Sequence, residues 1–246
     1  MSSINEHQKR YLVFLPNLFT GLNMACGFSA IMLSYGGEFY QACMLLVLGA
    51  LFDSVDGRLA RMTGTESDFG EQFDSMSDLI SFGMAPALLY YQRFLAHDGR
   101  FGMVGGFIFV LCGAMRLARF NANLDKVPSD YFQGLPIPLA AMSLIGPILF
   151  SLSFPNILEL RPWWLLHILF YSLLMVSSIP FPSFKKSEWV KNHPKRVLLI
   201  IFLILASIVL GEEYMIGVYL FLYVFISFFY FVLNYKKMKN TFVITP

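Results

Sequence analysis

Long apolar runs separated by short polar breaks organise the chain from residue 14 to residue 235. A helix needs roughly 20 mainly apolar residues to cross a bilayer. Eight runs approach that length: 14–35, 39–61, 74–95, 101–121, 136–155, 162–181, 196–211 and 213–235, the seventh being short. Helices are the expected form, because lipid cannot satisfy an open strand edge. The pattern predicts an all-α integral membrane protein with about eight transmembrane helices. The polar segment PFPSFKKSEWVKNHPKR (180–196) marks one of two things. It separates a six-helix core, about 14–181, from a C-terminal pair, about 196–235, or it is an ordinary cytoplasmic loop. No internal repeat or low-complexity linker intervenes, so 1–246 reads as a single membrane domain.

The polar breaks alternate in charge. Lys9 and Arg10 precede the first run, and Glu38 follows it without a basic residue. Arg58 and Arg61 come next, then a mixed loop with Arg93, Asp98 and Arg100. Arg116, Arg119 and Lys126 follow, then Glu159 and Arg161. Lys185, Lys186, Lys191, Lys195 and Arg196 make the most basic break, Glu212 and Glu213 the next, and Lys236, Lys237 and Lys239 close the chain. Basic loops favour the cytoplasmic side. Eight spans with both termini in the cytoplasm satisfy the alternation, and the expected location is the cell membrane.

Composition agrees with this reading. The 246 residues are 57% hydrophobic and 14% charged, against about a quarter charged in soluble domains. A net charge of +2 argues against a nucleic-acid partner. Cys26, Cys43 and Cys112 and the four histidines are scattered, so no zinc spacing arises. The start is polar, then basic, then apolar, with no small-residue cleavage site, so no cleavable signal peptide is expected.

One stretch breaks the apolar pattern. DSVDGRLARMTGTESDFGEQFDSMSD (53–78) carries Asp53, Asp56, Asp68, Asp74 and Asp78, with Glu66 and Glu71. At about 100° per residue, Asp53, Asp56, Gly57 and Ala60 share one helical face, with Arg61 at its edge. Over 70–81, Gly70, Asp74, Ser77, Asp78 and Ser81 share another. If the faces meet, four carboxylates converge beside small residues. Each costs about 2.5–3.5 kcal/mol at mid-membrane depth, so compensating cations are needed. Arg58 and Arg61 supply some, and hard divalent metals supply the rest, since an all-oxygen ligand set selects Mg²⁺, Mn²⁺ or Ca²⁺. A solvated acidic loop and an ion-translocation site are the competing readings. Neither accounts for the matched faces or the accompanying Gly57, Ala60 and Gly70.

The stretch reads D-x-x-D-G-x-x-A-R, then eight residues, then G-x-x-x-D-x-x-x-D. It resembles the signature of the CDP-alcohol phosphotransferases at every fixed position. LPNLFTGLNMACGF (15–28), FDSMSDLISFGMAPA (73–87), RLARFN (116–121) and FQGLPIPLAA (132–141) further resemble the type II, membrane-integral phosphatidylserine synthases. These matches cover roughly 14–141.

The resemblance implies transfer of the phosphatidyl group from CDP-diacylglycerol to the hydroxyl of L-serine, giving phosphatidylserine and CMP. It implies a homodimer in contact with membrane lipid and two divalent cations, Mg²⁺ or Mn²⁺. By position, Asp53, Asp56, Asp74 and Asp78 match metal ligands, and Asp78 also matches the catalytic base. Gly57, Ala60 and Gly70 match positions that pack on the nucleotide. Arg61 matches a phosphate or carboxylate contact, and Thr63 and Ser67 are further nucleotide candidates. For the acceptor, Arg116 and Arg119 lie three apart near the end of the fourth span. They suit two-point contact with a carboxylate, or they are positive-inside anchors. Asn121, Asn123 and Gln133 are additional polar candidates. Glycerol 3-phosphate, inositol 1-phosphate or choline as acceptor, and a cation transporter from a different class, are the rival readings.

Overall fold

A computed structural model describes residues 6–122, 131–182 and 229. Helix α1 (Glu6–Tyr35) turns through Gly37 into α2 (Phe39–Thr63). Gly64 ends α2 in the left-handed region at φ 62°, returning its N–H to the Ala60 carbonyl, a stop that glycine adopts without side-chain strain. Ser67 then caps α3 (Asp68–Asp78) by accepting the Gly70 N–H at 3.1 Å.

The rod continues beyond α3 through a widened stretch, Leu79–Met84, into α4 (Ala85–Tyr90). Pro86 has no N–H to offer the preceding turn, and the Ala85 N–H reaches back five residues to Ile80. A second widened turn, Tyr91–Leu95, and a 3-10 turn, Ala96–Asp98, carry the rod to Gly99. There the chain reverses into α5 (Gly99–Ala122), which packs back along the same rod. After a short connection come α6 (Ile137–Ser153), a 3-10 turn at Pro155–Glu159, and α7 (Arg161–Val176).

Helices therefore occupy the first six expected spans. Phe14–Tyr35 and Asp68–Ala122 are long and apolar enough to cross a membrane, and the second contains the Gly99 reversal. The expected spans at 196–211 and 213–235 lie outside the described residues, apart from Phe229. The total of eight is accordingly an expectation from sequence alone.

The fold is helical, and two details depart from the expected elements. Tyr131–Gln133 pairs antiparallel with Pro180–Pro182, Phe132 opposite Phe181. And α7 stops at Val176 instead of continuing to 181. The end of α7 is capped by a side chain. Arg119 donates to the carbonyls of Met175, Val176 and Ser177 at 2.8–3.2 Å, satisfying acceptors that a continuing helix would have used. Pro180 and Pro182, which have no N–H, then suit a two-stranded edge better than a helix.

Lipid tails are as apolar as leucine, so helices in a membrane associate through close packing and interhelical hydrogen bonds. The buried face of α1 shows this. Thr20, Asn23, Gly27, Ala30 and Ser34 recur at intervals of three and four, and Ala42 and Gly49 of α2 are buried as well. A Cβ at Gly27 would stand 2.7 Å from the Cα of Ser81, so only glycine permits this approach. Phe82, Tyr90, Phe109, Ile145 and Ile148 fill the interior, while Phe28, Met32, Phe107, Trp163 and Leu173 face outward.

Gly27→Ala is expected to cost about 1–3 kcal/mol, because backbone must move to admit the methyl. Thermal unfolding in detergent measures it, and an unchanged midpoint would refute the tight α1 contact. Arg119→Met is expected to speed amide hydrogen exchange at 174–179 selectively. Equal exchange in parent and variant would show that the arginine cap does not hold the end of α7.

Candidate active site

The C-terminal half of α2 carries Asp53, Asp56, Gly57 and Ala60, and α3 carries Asp74 and Asp78. The two helices bring the carboxylates together. One oxygen each from Asp53, Asp56 and Asp74 lie within 4.8 Å of one another. Asp78 joins this group through Asp53, carboxyl against carboxyl. Asp56 is only 4% exposed, and its Oδ2 accepts the Thr20 hydroxyl of α1 at 2.8 Å. Its Oδ1 accepts the Gly57 N–H.

Two further oxygens bear on what the site could hold. Asp74 Oδ1 and Asp78 Oδ1 are buried and accept no hydrogen bond. An unsatisfied buried acceptor is costly, and a carboxylate more so than a neutral group. Two oxygens on opposite sides of one ion stand about 4 Å apart for Mg²⁺ and about 5 Å for Ca²⁺. Oxygens within 4.8 Å of one another and an all-oxygen donor set fit a hard divalent cation.

A cavity of about 290 Å³ opens beside the cluster. Gly57, Ala60, Arg61, Ser67 and Gly70 line it, together with Asp56 and Asp74. A Cβ at Gly57 would meet only the Arg61 guanidinium, at 3.7 Å. The small residue there leaves volume on the cavity side rather than relieving a helix contact. Thr63 does not line the cavity. Its hydroxyl donates to Leu59 O at 2.7 Å and lies 2.8 Å from that of Thr65, which does line it.

The two arginines expected at the acceptor end have separate fates. Arg119 is engaged by the C terminus of α7. Arg116 is 8% exposed, its Nε has no partner, and it lies within electrostatic reach of Asp78. Its guanidinium stands 5.9 Å from the centre of the Phe120 ring. Asn121 lines the cavity and donates to the Ser75 hydroxyl at 3.0 Å. Asn123 and the Gln133 side chain lie outside the described residues.

Asn17, Thr20 and Phe120 also line the cavity, and motif spacing did not single them out. The available signal was the polar spacing Asn17, Thr20, Asn23 inside an otherwise apolar span, which marks a functional or interhelical face.

Comparison with known proteins agrees with this geometry. Residues 13–179 match the family model described as CDP-alcohol phosphatidyltransferase. A Helicobacter pylori protein named CDP-diacylglycerol–serine O-phosphatidyltransferase is 39% identical over 80% of this chain and 83% of its own. The archaetidylserine synthase of Methanothermobacter thermautotrophicus is 39% identical over 73% of this chain and 74% of its own. A Methanocaldococcus jannaschii protein with the same name as the first is 36% identical over 78% of this chain and 81% of its own. With the carboxylate cluster inside the matched region, the chain belongs to the CDP-alcohol phosphatidyltransferase family, membrane-associated enzymes of phospholipid synthesis.

Proposed function

We propose that the protein is a CDP-diacylglycerol–serine O-phosphatidyltransferase. The observation that carries this is the meeting of Asp53, Asp56 and Asp74 oxygens within 4.8 Å, inside the region the family model matches. The choice of serine is supported by the names of the relatives at 36–39% identity, each of which specifies serine.

In this reading Asp53, Asp56 and Asp74 would hold one divalent cation, and Asp78 with its unpartnered oxygen would share a second. Held there, Mg²⁺ or Mn²⁺ would supply positive charge to offset that of the diphosphate and of the departing CMP. The cavity walls at Gly57, Ala60 and Gly70 leave room for the nucleotide. Arg61 contacts phosphate from the rim, and Ser67 offers a hydroxyl at the N terminus of α3. Thr63 acts less directly, by tying the end of α2 to Thr65.

Asp78 takes the proton of the serine hydroxyl as its oxygen bonds to the phosphatidyl phosphorus and the bond to CMP breaks. A serine hydroxyl is a poor nucleophile at neutral pH, and a positioned carboxylate corrects that. Arg116 receives the serine carboxylate through a guanidinium whose Nε is free. Asn121 adds a polar contact, and Arg119 supports the wall from its place under α7. The enzyme works as a homodimer in the cytoplasmic membrane, a single domain with both termini and the site facing the cytoplasm. The charge alternation of the loops and the outward apolar side chains support that placement.

Purified protein with CDP-diacylglycerol and Mn²⁺ or Mg²⁺ is expected to release CMP with L-serine. It should not do so with glycerol 3-phosphate, inositol 1-phosphate or choline. Asp78→Asn should lower the rate by roughly 10²–10⁴-fold, the range for loss of a general base. Release driven by another acceptor would overturn the serine assignment, and metal flux without CMP release would revive the transporter reading. Arg116→Gln should raise the serine KM by about 10–100-fold, in line with loss of a charged hydrogen bond. An unchanged serine KM would remove Arg116 from the acceptor site.

A further inference from the structure

Helix α1 carries more interhelical hydrogen bonding than the chemistry above requires. Thr20 is joined to both carboxylate-bearing helices. Its hydroxyl has one proton and two acceptors in range, Asp56 Oδ2 at 2.8 Å and Pro16 O at 3.2 Å. The nearer, charged oxygen makes the stronger bond. The Thr20 main-chain carbonyl in turn accepts the Ser77 hydroxyl at 3.0 Å. One turn deeper, the Asn23 carbonyl accepts the Ser81 hydroxyl at 2.9 Å. Thr20 is 4% exposed and Ser77 and Ser81 are fully buried, so little water competes for these bonds.

Ser77 directly precedes Asp78 and follows Asp74 by three residues. It therefore sets the height and rotation of α3 where α3 presents its carboxylates. The packing makes this attachment consequential. Helix α1 packs along both α2 and α3, whereas α2 and α3 meet chiefly through their carboxylate side chains. Carboxylates repel rather than bind each other, so the relative height of the two helices is set by their shared packing on α1.

We propose that Thr20 is a positioning residue for the metal centre, aiming Asp56 with its hydroxyl and holding α3 in register through its carbonyl and Ser77. The inference rests on reading the carboxylates as a divalent-cation site. Outer groups that hold a carboxylate ligand typically contribute about 10–100-fold in metal affinity. Thr20 does so on the α2 side directly and on the α3 side through the backbone.

The test measures Mn²⁺ binding to the detergent-purified full chain, following the electron paramagnetic resonance signal of the free ion. Thr20→Val keeps the side-chain volume and removes the hydroxyl, and should weaken binding about tenfold. Thr20→Ser should recover most of that loss. Ser77→Ala, with the Thr20 hydroxyl in place, should also weaken binding. Ser172→Ala removes a buried hydroxyl bonded to its own helix at Ile168 O and should leave binding unchanged. Parent-like affinity in Thr20→Val overturns the proposal, as does a Thr20→Ser variant no better than Thr20→Val. If Thr20→Val does not fold, Ser77→Ala decides, and parent-like affinity there overturns it. Asp56→Asn separates the two ideas. If that variant still binds Mn²⁺ as the parent does, the cation site itself is wrong and the proposal falls with it. If Asp56→Asn alone weakens binding, the site stands and Thr20 has no part in it.

Discussion

Asp53, Asp56 and Asp74 place oxygens within 4.8 Å of one another in a setting that is half buried or more, and the residues around them are arranged about that repulsion. Two like charges at this distance repel by about 3–4 kcal/mol at an effective dielectric of 20. The Thr20 hydroxyl and the Gly57 N–H offset part of the cost at Asp56. Nothing equivalent reaches Asp74 Oδ1 or Asp78 Oδ1. A cluster with one stabilised member and bare oxygens on two others fits a site for positive charge from outside the chain.

Holding such a cluster demands a rigid frame, and α1 supplies it. Small residues on its buried face let α2 and the α3 rod approach closely, as the Gly27–Ser81 contact shows. The hydroxyls of Ser77 and Ser81 bond to its backbone, so the frame is locked by directional bonds as well as by packing. The widened turn that follows Asp78 is bounded by Pro86 and gripped by Ser81. The carboxylate-bearing end of the rod is thereby held against α1, while the rest of the rod packs on α5 and α6.

Arg116 and Arg119 illustrate how neighbours of one type diverge. One helical turn apart, they are equally available by spacing. Arg119 meets the exposed carbonyls at the end of α7, where a cation is favourable. Arg116 lies within electrostatic reach of Asp78 and keeps a buried N–H unmet. No helical-face argument separates them, because the partners of Arg119 come from 56 to 58 residues away.

The sequence by itself determined the helical architecture of the first six apolar runs and the two faces that carry the carboxylates. Apolar run length and 3.6-residue periodicity are local properties, and the spacing of Asp53, Asp56, Asp74 and Asp78 is read without knowing what packs where. It also carried the family, through eight fixed residues at fixed intervals within 53–78. Tertiary structure decided the rest. The early end of α7, the small strand ladder and the part played by Thr20 all depend on long-range partners. Thr20 reaches Asp56 across 36 residues and Ser77 across 57, distances over which periodicity carries no information. A hydroxyl in an apolar span announces that it needs a partner, and only the packed fold determines which one it finds.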